Sequence, residues 1–326
     1  MSRYLAGRAV ETLVTLALMS FVVYVLIGLM PGDPIDLMIA GDPKMTSADA
    51  ARLRAVYGID RPLLERYASW ALSALQGDMG YSRSFGQPVL AVLWPRLGNT
   101  LLLAGLAFAI STAIALPLGL WAAAHPRSRT DYLINLFCFA GISAPPFWLA
   151  LLLITLFAVA LGWLPAGGMA DIRPGMSWST TLALKLRHLA LPVLTLTLVQ
   201  LGTYTRFMRG AMIEVLRQDF VRTARAKGAS ERRVLWRHAF ANALAPVLTV
   251  LALSFGALFS GALITETMFA WPGMGKAIYQ GILDNDYNLA LVGLLVATLA
   301  TLLGNLLADL SYAWIDPRVS LTEQTA

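Results

Sequence analysis

Long apolar segments alternate with short polar ones along this chain of 326 residues, and six of the apolar segments contain no Asp, Glu, Lys or Arg. They are residues 12–30, 97–124, 132–164, 189–205, 239–265 and 287–308. A helix that crosses the hydrocarbon core of a membrane needs about 20 mostly apolar residues, because its backbone groups find no water there. The pattern therefore predicts an all-α membrane protein with six transmembrane helices.

The third segment is too long to cross a membrane as one straight helix, and it contains Pro145 followed by Pro146. Proline removes a backbone donor and disfavours helical conformation in the residue before it. We therefore expect the helix to kink or restart near Ser143. Whether this break serves function or packing stays open, since proline is common in spanning helices.

Composition supports the membrane assignment. Hydrophobic residues make up 57% of the chain and charged residues 13%, whereas soluble domains carry roughly 25% charged residues. The single cysteine, Cys138, lies within the third segment, where a small apolar packing role is expected.

Lys and Arg are distributed unevenly among the polar segments. With the N-terminus in the cytoplasm, 14 of them lie on the cytoplasmic side and 4 in the short outer loops. The other 7 lie in residues 31–96, a loop long enough to be exempt from the positive-inside rule. The distribution predicts that both termini are cytoplasmic, including a tail at 319–326. It also accounts for the net charge of +6 without nucleic-acid binding.

The long outer loop follows an N-terminal transmembrane helix at 1–30. Residues 31–96 balance seven acidic against seven basic residues and predict a small helical extracytoplasmic subdomain. Within it, Thr46 or Ser47 can cap a helix that ends near Gly58.

A second helix of the subdomain is predicted to open at Pro62 and end at Gly77. Residues 88–95 predict a short interfacial helix that precedes the second span. Residues 97–318 then form a core with five transmembrane helices. The predicted packing face of the second helix consists of Leu64, Tyr67, Ala71 and Leu75.

A membrane protein that moves solutes needs an energy source, and the sequence itself shows none. Residues 271–278 superficially resemble a phosphate loop, but Ala270 and Ala277 replace the required glycine and hydroxyl residue. This segment instead predicts a tight turn around a short helix. Ion-driven carriers place ionisable groups inside the membrane, whereas Glu266 and Asp309 lie at span ends, where we expect solvated positions. The sequence offers no catalytic or metal-ligating constellation.

A basic insert separates the fourth and fifth spans, within a predicted cytoplasmic loop at 210–240. Residues 219–240, DFVRTARAKGASERRVLWRHAF, carry six Lys or Arg against two acids. They predict a helix continuous with the fourth span, a left-handed cap at Gly228, and a second helix capped by Ser230. Residues 219–230, termed the elbow, suit docking of a partner protein; a positively charged loop near anionic lipid is the open alternative. The residues expected to keep the bend slim are Ala224, Ala226 and Ala229.

The insert resembles the signature loop of inner-membrane permeases in binding-protein-dependent ABC importers, in the B-type form of the dipeptide, oligopeptide and nickel branch. RTARAKG is followed by HAFANALAP, and of the general Glu-Ala-Ala-x3-Gly signature only Ala224 and Gly228 are retained. Other landmarks occur in the family's order over essentially the whole chain: PGDP (31–34), YGIDRP (57–62), GDMGYS (77–82), RLGNTL (96–101), SAPPFW (143–148), MIEVLRQDFVRTARAKG (212–228), ETMFAWPGMG (266–275) and DPR (316–318).

This resemblance implies a type I ABC importer permease fold in a bacterial inner membrane, and a transport subunit with no cofactor of its own. It implies as partners a homologous C-type permease, two cytoplasmic ATPase subunits that hold ATP and Mg²⁺, an extracytoplasmic substrate-binding protein and membrane lipid. Short peptides are the first choice of substrate, while glutathione-like compounds, nickel chelates and opines stay open. The implied ATPase contact comprises Arg222, Thr223, Ala224, Arg225, Ala226, Lys227, Gly228, Ala229 and Ser230.

Two other classes of protein stay open. A secondary, ion-driven transporter or channel would act without ATPase partners, and the charge-free spans argue against it. A membrane enzyme would need paired catalytic groups at membrane depth, which the sequence does not provide. Polar residues inside the spans could line a translocation path, although hydrogen bonding between helices is the more common use of any one of them: Ser143, Thr195, Gln200, Ser254 and Ser260.

Overall fold

A computed structural model describes residues 2–29, 61–258 and 262–315, which are helical apart from connecting turns and one short hairpin. The hairpin pairs β1 (Tyr81–Ser82) with β2 (Gln87–Pro88) in antiparallel register. The helices are α1 (Ser2–Gly28), α2 (Leu63–Leu75), α3 (Val89–Ala124), α4 (Arg129–Ser143), α5 (Pro146–Ala160), α6 (Trp178–Leu216), α7 (Asp219–Ala226), α8 (Glu231–Ala257), α9 (Leu263–Met268), α10 (Met274–Leu283) and α11 (Tyr287–Ile315).

Five of the described helices are long and apolar enough to cross a membrane, namely α1, α3, α6, α8 and α11. Helices α4 and α5 form a sixth span if the pair, which is bent by 104°, is counted as one. The bend lies where the two prolines predicted it, because Ala144 and Pro145 are extended and Pro146 opens α5. Proline is tolerated at the first position of a helix, because the N–H that it lacks would have no hydrogen-bond partner within the helix there. The all-α membrane fold is thus confirmed, with five spans, or six if the bent pair is one span.

Helix α3 corrects one predicted boundary. Residues 88–95 do not form a separate interfacial helix, because α3 runs without interruption from Val89 through Pro95 into the second span. The side chains of Val89, Val92 and Leu93 are almost fully buried and pack against α10 and α11. This packing holds the first turns in line with the span despite the proline.

Helix α6 lies at the centre of the bundle and contacts α3, α4, α5 and α8. Its Tyr204, Met208 and Met212 are buried against both α3 and α8. Between apolar spans the stabilisation comes from close packing rather than from escape from water. Cys138 of α4 is 2% exposed, in keeping with the predicted packing role.

The described part of the predicted outer subdomain is α2 and the hairpin; the helix predicted from Thr46 or Ser47 to Gly58 lies outside the described residues. Helix α2 begins one residue after the predicted Pro62 and ends two residues before the predicted Gly77, and its predicted packing face is only partly right. Tyr67 packs on α1, where its hydroxyl lies 2.9 Å from Ser20 Oγ. Leu64 and Leu75 are 65% and 86% exposed, because the inward side of α2 carries Trp70 instead.

The hairpin is attached to the start of α11 through one buried carboxylate. Asp286 is 1% exposed and its Oδ2 accepts hydrogen bonds from Ser82 Oγ at 2.5 Å and from Ser84 N at 2.9 Å. Its Oδ1 accepts from Leu289 N in the first turn of α11. One side chain therefore caps a spanning helix and holds the hairpin against it.

Replacing Asp286 by Ala is expected to lower the free energy of unfolding by about 2–3 kcal/mol, since the buried hydroxyl of Ser82 and the part-buried N–H of Ser84 lose their acceptor. Thermal unfolding of the detergent-solubilised chain measures the effect. Asp171→Ala removes an exposed carboxylate and is the matched control. Equal unfolding midpoints for the two variants would contradict the role assigned to Asp286.

Candidate functional site

The elbow begins with a sharp break that the sequence did not predict. Helix α6 ends at Leu216, Gln218 is extended, and α7 starts at Asp219, so the predicted continuation of the fourth span is wrong. The break turns α7 back onto the bundle. This buries Val221 completely against Val215 and Leu216 at the end of α6, a contact that a straight helix could not make.

The second turn of the elbow is the glycine cap that the sequence predicted. Gly228 has φ +80°, a left-handed conformation that glycine adopts at little cost. Its N–H donates to the carbonyl of Arg225 at 2.9 Å, and Ala229 N donates to the carbonyl of Ala224 at 3.1 Å. These two bonds define a Schellman motif. Ser230 occupies the cap position of α8 as predicted, but its side chain makes no capping hydrogen bond.

The inner side of the elbow is a small apolar cluster. Val221, Ala224 and Val234 are buried together, and Ala229 packs against them. Ala224 was expected on the approachable side of the bend, but the Schellman motif turns it inward, as is usual for the residue whose carbonyl closes the motif. Ala224 therefore packs inside the elbow, whereas Ala226 is exposed.

The outer side of the elbow is polar and exposed. Arg225 spans the glycine turn and donates to both carboxylate oxygens of Glu231, at 2.8 and 3.2 Å. This bidentate pair braces α7 against α8, so Arg225 is engaged within its own chain. The exposed members of the predicted contact are Arg222, Thr223, Arg225, Ala226, Lys227, Gly228 and Ser230.

The structure places the predicted pathway residues in different environments. Thr195 is fully buried and its hydroxyl donates to the carbonyl of Leu191 in its own helix, so it lines no path in this structure. Gln200 accepts a hydrogen bond from Ser111 of α3 at 3.0 Å, which joins two spans. Ser143 is exposed at the bend and Ser254 is half-buried. Ser260 lies outside the described residues.

Sequence reasoning missed a buried carboxylate at Glu266. A solvated position was expected, but the residue is 0% exposed. Its Oε1 accepts from Thr100 Oγ1 at 2.6 Å and its Oε2 from Lys276 N at 2.9 Å. Gly273 packs so closely that an added Cβ would lie 2.1 Å from Glu266 Cδ. The predicted turn at 271–278 is confirmed, and it folds over this side chain between α9 and α10. The side chain of Asp309 lies outside the described residues.

A second buried carboxylate, Asp131, lies at the start of α4 and is 3% exposed. Arg209 of α6 donates to it twice, Nε to Oδ1 at 2.7 Å and Nη2 to Oδ2 at 2.8 Å. Arg127 N and Asn135 Nδ2 also donate to it, at 2.9 and 2.7 Å. Asp131 lies immediately before the charge-free segment at 132–164. This position is the one sequence signal that could have drawn attention to it.

These carboxylates hold helices in place. Asp131 ties α4 to α6 about two turns before the end of α6, and Glu266 ties the α9–α10 turn to α3. Within residues 2–29, 61–258 and 262–315, no group of three or more His, Cys, Asp or Glu side chains could hold a metal ion. The elbow remains the exposed feature that is both rigid and basic.

Comparisons with known proteins agree with this arrangement. A family model described as the binding-protein-dependent transport system inner membrane component matches residues 115–321, and a model of the N-terminal part of such components matches residues 1–104. The relatives include a putative peptide permease protein of Brucella ovis, 39% identical over 323 residues, which are 99% of this chain and 100% of that protein.

Two further relatives cover nearly the whole chain. The oligopeptide transport system permease protein AppB of Bacillus subtilis is 35% identical over 320 residues, 98% of this chain and 99% of that protein. The di/tripeptide transport system permease protein DppB of Pseudomonas aeruginosa is 36% identical over 330 residues, 96% of each. The resemblance seen in the elbow and its ordered landmarks is confirmed: this chain belongs to the family of inner-membrane permease components of binding-protein-dependent transport systems.

Proposed function

We propose that this chain is one permease subunit of an ATP-driven importer of short peptides, and that the elbow receives the driving force. The names of three relatives, which refer to peptides, oligopeptides and di- or tripeptides, support a peptide substrate. Membership in a binding-protein-dependent transport family supports a substrate-binding protein, a second permease and ATPase subunits as partners. ATP and Mg²⁺ belong to those ATPase subunits.

The construction of the elbow is the observation that carries this proposal. Its inner cluster joins α7 to the end of α6 through Val221 and to the start of α8 through Val234. The Arg225–Glu231 pair closes the same angle from outside. A force on the exposed face would therefore move α6, the central helix of the bundle, and α8 together.

The proposed cycle follows from this linkage. The elbow faces the cytoplasm, as do both termini, and Arg222 and Lys227 meet acidic side chains in a groove of one ATPase subunit. When ATP closes the ATPase pair, the elbows of the two permeases approach each other and the spans open outward. Hydrolysis and release return them to the inward-open state, which is alternating access with its energy supplied by other subunits.

Gly228 provides the test. Gly228→Glu places an acidic side chain where open space surrounds the glycine, opposite the acids expected on the ATPase, and strains the left-handed turn by roughly 1 kcal/mol. We expect uptake of a radiolabelled dipeptide by the complete transporter to fall at least about tenfold, as for the loss of a typical coupling free energy. ATP hydrolysis should then no longer respond to substrate.

Gly228→Asn is the control, because asparagine tolerates the left-handed conformation and adds no charge. It should retain most of the uptake. Normal dipeptide uptake with Gly228→Glu would contradict elbow coupling. Uptake by this chain alone under an ion gradient would contradict the dependence on ATPase subunits.

A further inference from the structure

A second basic feature lies beside the elbow, at the start of α8. An open groove of about 370 Å³ is lined by Ser230, Arg232, Arg233 and Trp236. All four residues are exposed, and the indole of Trp236 packs on the ring of Phe240 with centroids 5.3 Å apart. The groove therefore combines two cationic groups, a hydroxyl and an aromatic wall.

The polar groups of this groove are unpaired. Among the residues that the structure describes, neither the Arg232 nor the Arg233 guanidinium has a hydrogen-bond or ion-pair partner, and the Ser230 hydroxyl has none. The neighbouring acid, Glu231, is occupied by Arg225 on the other side of the turn. Two positive charges and a free hydroxyl in one concave surface favour an anionic ligand with several acceptor oxygens.

The position of the groove points to the source of that ligand. The charge-free stretch of α8 begins at Ala239, three residues after Trp236, which is about 4–5 Å along a helix. Tryptophan is enriched at this depth, the level of lipid headgroups. Farther along α8, the exposed side chains include those of Pro246 and Leu253.

We propose that this groove binds the phosphate of an anionic phospholipid in the leaflet next to the elbow. The two guanidiniums and the Ser230 hydroxyl donate to the phosphate oxygens, and Trp236 lies against the glycerol and upper acyl region. Bound lipid neutralises Arg232 and Arg233 and anchors the start of α8. The Ser230 hydroxyl, which the family resemblance assigns to the ATPase contact, belongs to this lipid site instead.

The test measures lipid retained by the complete transporter in nanodiscs of phosphatidylcholine with increasing phosphatidylglycerol. Arg232→Gln with Arg233→Gln is expected to weaken phosphatidylglycerol retention about thirtyfold, since each basic residue near an anionic surface contributes roughly fivefold. Native mass spectrometry counts the retained lipid. Phosphatidylglycerol brominated on its acyl chains should quench tryptophan fluorescence less in Trp236→Phe than in the wild type.

Arg129→Gln with Arg217→Gln removes two exposed charges outside the groove and outside the elbow and is the matched control, expected to leave lipid retention unchanged. Equal lipid loss in both double variants would overturn the proposal in favour of general surface charge. Loss of the ATPase subunits with unchanged lipid in Arg232→Gln/Arg233→Gln would overturn it in favour of protein docking. Displacement of phosphatidylglycerol by inorganic phosphate at millimolar concentration would identify a free-anion site and also overturn it.

Discussion

Replacing Asp131 by Ala is expected to lower the free energy of unfolding by about 3–5 kcal/mol, the usual cost of breaking a buried ion pair by removing one partner. The carboxylate accepts four hydrogen bonds, two of them from Arg209. Without it, a guanidinium that is only 26% exposed would have no counter-charge. Thermal unfolding of the solubilised chain, followed by tryptophan fluorescence, measures the loss.

A double-mutant cycle isolates the pair itself. Removing both Asp131 and Arg209 should cost less than the sum of the two single variants, because neither charge is then left unpaired. The control is the exposed pair Arg222–Asp219, at 3.3 Å, whose removal should have little measurable effect. Additive losses at Asp131 and Arg209 would mean that the ion pair does not hold α4 against α6.

Glu266→Ala is expected to have an effect of similar size, about 3–5 kcal/mol, for a different reason. The hydroxyl of Thr100 and the backbone N–H of Lys276 both lose their acceptor, and the fully buried side chain leaves a void. Glu266→Gln should also destabilise, because its amide N–H₂ replaces one of the two acceptor oxygens. Thermal unfolding and protease resistance of the α9–α10 turn report the change.

Lys276→Ala provides a control at the same place. Lys276 contributes its backbone N–H to Glu266, so loss of the lysine side chain leaves the hydrogen bond intact and should change the unfolding midpoint little. A Glu266→Ala variant as stable as Lys276→Ala would show that the buried carboxylate does not hold the turn.

Both carboxylates lie at the edge of a charge-free segment, which is why the sequence pattern assigns Glu266 to solvent and gives no prediction of burial for Asp131. The end of a charge-free segment gives a residue's position along one helix. It does not show which side chains from other helices cover that residue. For Glu266 those neighbours include Thr100 of α3, 166 residues away in sequence, and for Asp131 they include Arg209 of α6, 78 residues away. The burial of a charge depends on these distant partners.

The elbow also has some features that the sequence predicted and others that it did not. Its glycine turn was predictable, because a glycine between two helical patterns favours a left-handed cap whatever surrounds it. The inward position of Ala224 and the break before Asp219 were not, since both follow from burying Val221 against α6. Likewise, the sequence predicted a separate helix at residues 88–95, but this segment is the start of α3, because its side chains pack against α10 and α11.

The sequence by itself determined the all-α membrane fold, the break at Pro145–Pro146, the turn at Gly228 and the family, since each rests on local composition or on an ordered set of short motifs. The tertiary structure alone decided which charges are buried, which side of the elbow is exposed and where α3 and α7 begin. Those properties depend on contacts between residues far apart in the chain, and a local pattern contains no information about such contacts.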